Sequence, residues 1–145
     1  MTTPHDYFGS MKLDEQRRTY QARLDFSPNH KVSVTINWAG ISPGDALMRS
    51  QNICDRICVQ EQEYRSKIAH ALLSLYNDTW RDGAPLDADG FMRRISLSDI
   101  QICPAKFGTD SCVTLGYADG DLFAGHYIEV FLDADFNYVK SQIAG

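Results

Sequence analysis

Apolar residues recur every three or four positions over residues 42–80, the longest such stretch in the chain. This spacing places them along one side of an α-helix and predicts a long amphipathic helix. Ser42 and Pro43 suit the N-cap and first helical position, and Asp45 adds a carboxylate to the first turn. The apolar positions are Ile53, Ile57, Tyr64, Ile68, Leu72 and Leu75. We expect this face to pack against a β-sheet.

Strand patterns precede the helix. Residues 19–26 and residues 31–38 each alternate between apolar and polar side chains, which is typical of half-buried strands. The intervening Ser-Pro-Asn-His sequence favours a turn, so the two segments are predicted to form an antiparallel hairpin. Residues 7–13 suggest a short first strand or an extended arm.

Further elements follow the helix. Gly83 and Pro85 end it, and Asp87 is a suitable N-cap for a second helix of about two turns. Residues 95–102 fit either two short strands or one strand with a bulge. Residues 111–117 and 125–133 alternate around a turn and predict a second hairpin, and residues 136–143 can add a last strand.

These elements predict the α+β class: an antiparallel sheet, made of an N-terminal hairpin and a C-terminal meander, packed on one long and one short helix. The 145 residues contain neither an internal repeat nor a linker-like segment. A chain of this length can bury a sufficient core without a disulfide or a metal. We therefore expect a single domain over residues 1–145.

The charge balance narrows the functional classes. Fourteen basic and 19 acidic residues give a net charge of −5, which argues against nonspecific binding to nucleic acid. No window approaches the roughly 18–20 apolar residues of a membrane span, and the N-terminus lacks the features of a secretion signal. We expect a cytoplasmic protein that does not bind membranes.

Four cysteines, Cys54, Cys58, Cys103 and Cys112, raise the question of a zinc site. Zinc knuckles place paired cysteines on turns, whereas Cys54 and Cys58 are one helical turn apart beside apolar residues. Small core residues are the better interpretation. The aspartates of the turns near Asp119 and Asp133 match no calcium loop, and no nucleotide-binding, hydrolase or metalloprotease motif occurs. We expect neither a metal nor another cofactor.

The polar residues near the end of the long helix and in the second hairpin have two interpretations. If His126 meets Asp78, the carboxylate would orient the imidazole as a general base or ligand. Asn77 could then bind a substrate hydroxyl beside Trp80. Alternatively, His126 satisfies buried polar groups, while Asn77 and Asp78 end the helix and tie it to a loop. We favour the structural interpretation.

Three segments together carry a resemblance to a known family. They are Phe8-Gly9, then Leu-Tyr-Asn-Asp-Thr-Trp at residues 75–80 with Leu86, Asp87 and Phe91, and Asp-Gly-Asp-Leu-Phe-Ala-Gly-His at residues 119–126. This pattern resembles that of a family of small uncharacterised bacterial proteins. The family is similar in class to acidic α+β proteins proposed as immunity proteins against bacterial toxins. The resemblance implies a structural role for its motif residues, here Asn77, Asp78, Trp80, Gly125 and His126.

If these residues are structural, a partner must bind elsewhere. We expect an acidic and aromatic surface that occludes the active site of a basic toxin domain. The residues predicted to form it are Tyr117, Asp119, Asp121, Tyr127, Glu129, Phe131 and Asp133. Two alternatives stay open. One is a small enzyme or ligand-binding protein with a pocket around His126, Asp78 and Asn77. The other concerns the oligomeric state: the protein is either a monomer or a homodimer joined at a strand edge.

Overall fold

The computed structural model describes residues 2–27, 29–103 and 113–145. The described residues form an eight-stranded sheet whose strands lie in chain order, with two α-helices and a π-helical turn between the fourth and fifth strands. The strands are β1 (Thr2–His5), β2 (Gly9–Asp14), β3 (Thr19–Ser27), β4 (His30–Asn37), β5 (Ser96–Ile102), β6 (Val113–Ala118), β7 (Tyr127–Leu132) and β8 (Tyr138–Ala144). The helices are α1 (Pro43–Leu75), the π-helical turn (Tyr76–Trp80) and α2 (Ala88–Arg94).

The sheet is antiparallel except at its centre. There β4 and β5 run parallel, with Ser33 opposite Asp99 and Ile36 opposite Ile102. Parallel neighbours need a long crossover, which α1, the π-helical turn and α2 supply. The crossover joins an N-terminal meander to a C-terminal one, and the predicted α+β class is confirmed.

The long helix begins as predicted, because Ser42 Oγ accepts a hydrogen bond from the Asp45 N–H at 3.1 Å. The predicted apolar face is buried from Ile53 to Leu72. Leu75 departs from it and is 39% exposed, because the chain turns π-helical at the next residue and Tyr76 enters the core instead. The buried face also contains Glu61, a charged residue that the periodicity did not predict.

Most strand predictions are confirmed. The β3–β4 hairpin forms, and residues 95–102 give one strand with a register irregularity between Leu97 and Asp99. The segment predicted from residue 111 onward is observed from Val113, since residues 111 and 112 lie outside the described part. An additional strand, β1, precedes the first predicted one and pairs with β2.

The helices cover one face of the sheet. Alternate residues of β6 and β7 are fully buried on that side, including Leu115, Ile128 and Val130. Each such side chain contributes about 1.5–3 kcal/mol of hydrophobic stabilisation. Alternation places the intervening residues on the opposite surface, which we call the open face. Its central residues are Arg23, Ser33, Thr35, Asp99, Gln101, Thr114, Gly116, Glu129, Phe131, Lys140 and Gln142.

Candidate functional site

The end of the long helix and the loop before β7 meet in a cluster of aromatic rings. The Phe123 ring centroid lies 6.0 Å from that of Tyr76, 5.7 Å from Trp80 and 6.2 Å from Phe91. All three contacts are close to edge-to-face, the arrangement that aromatic pairs prefer. Two of the three segments that carry the resemblance therefore pack against each other inside the molecule.

Asp119 holds the loop that carries Phe123, residues 119–126, which we call the signature loop. Its carboxylate accepts the backbone N–H groups of Asp121 at 3.0 Å, Phe123 at 2.8 Å and Gly125 at 3.1 Å. Four loop residues have left-handed backbone conformations, with φ of 58° at Gly120, 64° at Asp121, 58° at Ala124 and 83° at Gly125. The carboxylate thus satisfies N–H groups that this unusual backbone cannot pair within a strand.

Two residues predicted to lie on the binding surface are therefore in the interior. Asp119 is 5% exposed and Tyr117 is fully buried, so the expectation that they face a partner is wrong. Tyr117 alternates with Val113 and Leu115, which places its ring on the helix-covered side of β6. Asp119 is buried because the signature loop folds around its carboxylate.

Asn77 ties the helix end to the following loop. Its side chain donates to the Leu86 carbonyl at 2.9 Å and accepts the Leu86 N–H at 3.0 Å. The Asn77 amide thus pairs with both the N–H and the carbonyl of Leu86, as the backbone of a residue in an adjacent β-strand would. Asp78, the next residue, is exposed. The Asn77 side chain therefore binds the backbone of Leu86, whereas the Asp78 side chain is exposed to solvent.

His126 contacts the helix end through Trp80, not through Asp78. Its Nδ1 lies 2.7 Å from the Phe123 carbonyl, and its ring centroid lies 5.9 Å from that of Trp80. A carbonyl only accepts, so this contact assigns the proton to Nδ1. His126 is half-buried and precedes the first residue of β7. The geometry orients the ring against Trp80, and the contacts within the described ranges give it no carboxylate partner for general-base chemistry.

A largely buried ion pair joins two residues one turn apart in α1. Arg65 donates to both carboxylate oxygens of Glu61, and also to the Met92 carbonyl at 3.2 Å. The buried Tyr117 hydroxyl lies near Glu61. Burial, followed by the charge of Glu61, raises the pKa of Tyr117 above its ordinary range. The sequence signal for this cluster was an acidic residue within the apolar stripe, followed four residues later by an arginine.

The thiols of α1 are unsuited to nucleophilic chemistry. Cys54 is buried and burial raises its pKa to about 12, while burial followed by the charge of Asp55 raises the pKa of Cys58. Both thiols therefore stay protonated near neutral pH, and thiolate is the reactive form. Cys112 lies outside the described residues. In the described ranges, no group of three or more potential ligands could hold a metal ion.

A cleft of about 740 Å³ lies where the β1–β2 turn meets α1, and His5 and Tyr7 line it. His5 Nδ1 accepts the backbone N–H groups of Tyr7 and Phe8, and the Tyr7 hydroxyl donates to Asp55 at 2.8 Å. Burial, followed by this hydrogen bond, raises the pKa of Tyr7. Tyr7 therefore holds the turn against the helix, and His5 stabilises the turn itself.

The other predicted binding residues lie along or beside β7. Tyr127 is 45% exposed, and Glu129 and Phe131 are half-buried on the same open side. We call these three residues the β7 patch. Glu129 accepts a hydrogen bond from Gln142 at 2.8 Å, and Lys140 lies over the Phe131 ring at 5.0 Å.

Asp99 adds a second carboxylate to this region. It lies opposite Gly116, and a Cβ at that glycine would be only 2.0 Å from Asp99 Oδ1. Gly116 in turn lies opposite Glu129. The missing side chain of Gly116 therefore lets Asp99 lean across the strand towards the β7 patch.

The two remaining aspartates lie at opposite ends of β7. Asp121 is exposed in the signature loop. Asp133 accepts the N–H groups of Asp135 and Asn137, both at 2.9 Å, in the β7–β8 turn. The structure thus groups Tyr127, Glu129 and Phe131, and separates Asp121 and Asp133 from each other.

Comparison with known proteins adds a family assignment. Neither the curated proteins nor the solved structures include a match to the chain. Within the described residues, no helix combines the length and apolar character needed to cross a membrane. The family described as "Uncharacterized protein conserved in bacteria" (DUF2262) matches residues 5–143. Because this match covers nearly the whole chain, the protein belongs to that bacterial family.

Proposed function

We propose that this protein is a non-enzymatic binding module. It binds a protein partner through the open face of its sheet, and the β7 patch forms the centre of this binding surface. One observation carries the proposal. The polar signature residues Asp119, Asn77 and His126 are engaged by internal contacts, whereas the β7 patch is directed away from the core. The uncovered sheet surface is therefore available for recognition, whereas the signature residues are not.

The size of this surface supports a protein partner. Eight strands spaced about 4.8 Å apart span roughly 34 Å, and strands of about 20 Å give a face on the order of 700 Å². A standard protein interface buries about 800 Å² on each partner. The open face is thus comparable in area to one side of such an interface.

The chemistry of the patch supports a basic partner. Tyr127 and Phe131 supply rigid aromatic area, which is enriched at the centre of interfaces. Glu129 and Asp99 add two negative charges beside them, against the one positive charge of Lys140 over Phe131, in a chain whose net charge is −5. An immunity protein that blocks a basic toxin active site is the form of this function that we propose. The alternative of a pocket around His126, Asp78 and Asn77 has no comparable support, because Asp78 is exposed and the other two are engaged elsewhere.

Coexpression with the products of the genes that flank this one, each first tested for toxicity when expressed alone, tests this proposal. We expect one of them to be neutralised in cells and to bind the purified chain in calorimetry. Glu129→Lys should weaken that binding at least tenfold, since it places a positive charge against a basic surface.

Glu63→Lys is the matched control, because Glu63 is exposed on α1, on the helix side of the sheet. It makes the same change in net charge and should leave the affinity unchanged. Failure of every neighbouring gene product to bind, or equal weakening by both substitutions, would contradict the proposal.

A further inference from the structure

A cleft on the helix side lies between the first half of α1 and the β7–β8 turn. The cleft has a volume of about 380 Å³ and is lined by Met48, Arg49, Asn52, Arg56 and Phe136, among others. Small-molecule pockets usually measure about 300–1,000 Å³ and combine apolar walls with a few polar groups. The cleft fits this description.

Phe136 reaches the cleft through an unusual backbone conformation. Its φ is 65°, a left-handed value that a bulky aromatic residue rarely adopts. The surrounding turn enforces it: the Phe136 N–H donates to the Asp133 carbonyl at 3.0 Å, and the Tyr64 hydroxyl donates to the Phe136 carbonyl. Strain of this kind is found preferentially at ligand-binding sites and other functional positions.

Arg56 is held over this ring. Its guanidinium carbon lies 5.0 Å from the Phe136 centroid, and one N–H group donates to the Asp135 carbonyl at 3.1 Å. A guanidinium has five N–H donors, and stacking on an aromatic face restricts its orientation. Arg56 is therefore positioned before any ligand arrives, which lowers the entropic cost of binding.

Other side chains extend the positive character of the cleft. Arg49 precedes Arg56 by seven residues, which places it about 10 Å away along the same side of the helix. It donates to the Cys103 carbonyl at 3.3 Å. Asn52 is exposed between the two arginines. The acidic Asp45 also lines the cleft, but lies roughly 16 Å along the helix from Arg56.

We propose that this cleft binds a small organic anion, a carboxylate or a phosphate ester that carries an apolar group. The anionic group pairs with Arg56 and Asn52, and the apolar group lies against Met48 and Phe136. Met48 is 68% exposed in the free protein, which leaves it accessible to such a ligand. The site is on the side of the sheet opposite to the open face, so this proposal is independent of partner binding there.

Methyl NMR of the full chain tests this site with defined probes. Phenyl phosphate and 3-phenylpropionate represent the two kinds of anion, and 3-phenylpropanol is the neutral analogue. At least one anion should shift the Met48 methyl resonance saturably and leave that of the buried Met11 unchanged. The anion that binds with the higher affinity identifies the preferred anionic group. The neutral analogue should bind at least tenfold more weakly. Absence of a saturable shift with both anions, or equal affinity of the neutral analogue, would overturn the proposal.

Two substitutions locate the binding. Arg56→Gln should lower the affinity for the anion by about tenfold or more, the usual effect of losing a hydrogen bond to a charged group. Arg81→Gln, beyond the other end of the long helix, is the matched control and should not alter the affinity. Phe136→Asn removes the ring but suits a left-handed backbone, so the chain should fold and bind several-fold more weakly. An unchanged affinity in Arg56→Gln would overturn the assignment.

Discussion

At the scale of single residues, Asp119 accounts for the shape of the signature loop. One of its oxygens accepts the Asp121 N–H, and the other accepts those of Phe123 and Gly125. Hydrogen bonds to a buried charged group contribute about 1.5–3 kcal/mol each when measured by deletion. An asparagine could not replace them, because its amide nitrogen would face an N–H group and leave it unpaired.

We therefore predict that Asp119→Asn lowers the free energy of unfolding by about 2–3 kcal/mol. Equilibrium urea unfolding measures this change. Asp121→Asn is the control, since Asp121 is exposed two residues away and its left-handed backbone tolerates asparagine. A loss of stability in the control as large as in Asp119→Asn would contradict the role of the buried carboxylate.

Asn77 and Asp78 provide a second comparison between neighbours. Asn77→Ala removes both hydrogen bonds to Leu86 and should cost about 1–2 kcal/mol of stability. Asp78→Ala changes an exposed side chain and should stay within about 0.5 kcal/mol of the wild type. Thermal and urea unfolding of the two variants measure the difference. Equal effects would show that the tie to Leu86 does not stabilise the fold.

At the scale of elements, the β7–β8 turn depends on an ionised carboxylate. The backbone N–H of Asn137, together with that of Asp135, holds the pKa of Asp133 below its ordinary range. A carboxyl group whose pKa is lower in the folded state stabilises the fold above its unfolded-state pKa. That contribution is lost as the pH falls through the lower, folded-state pKa.

Asp133→Asn should consequently destabilise the protein more at about pH 6 than in acid, as the pH falls below the ordinary carboxyl pKa towards the lower folded-state pKa. Urea unfolding of wild type and variant across this range gives the difference in unfolding free energy at each pH. A difference that is independent of pH would mean that the charge of Asp133 does not support the turn.

The end of the long helix shows what local sequence could not predict. The poor helix formers after Tyr76 indicated an end near Trp80, but not a π-helical turn in which the Arg81 N–H bonds to the Tyr76 carbonyl at 2.7 Å. The π-helical turn ends where Trp80 packs on Phe123, a residue 43 positions further on. A cause so distant in the chain leaves no local periodic signal.

In the β-hairpin of β6 and β7, the alternation of apolar and polar residues indicated the position of some side chains and could not indicate that of another. Alternation correctly placed Tyr127, Glu129 and Phe131 opposite the buried side of β7, and it also contained the signal that buries Tyr117. No such pattern could reveal the burial of Asp119. Its environment consists of backbone N–H groups from its own loop, and these converge only after the loop has folded.

At the scale of the whole molecule, the sheet has two edges. The β1 edge contains Pro4, which lacks an N–H group, and the β8 edge contains Lys140. Both are devices that discourage strand addition. We therefore expect a monomer in light scattering at micromolar concentration. A stable dimer would instead favour the edge-joined arrangement, with Tyr127 and Phe131 beside its interface.

The same architecture separates two surfaces: the open face, which we propose binds a protein, and the helix side with its cleft. Both surfaces carry reactive side chains that solvent can reach: exposed Tyr127 and half-buried Phe131 on the first, exposed Met48 and Cys58 on the second. A method that reports side-chain accessibility can therefore distinguish them in one experiment.

Hydroxyl-radical footprinting of the complex with the neutralised toxin domain makes this distinction most directly. The partner should protect Tyr127 and Phe131 from oxidation and leave Met48 and Cys58 as reactive as in the free chain. Protection of Met48 and Cys58, or of Trp80 and His126, with Tyr127 and Phe131 unchanged would contradict this prediction.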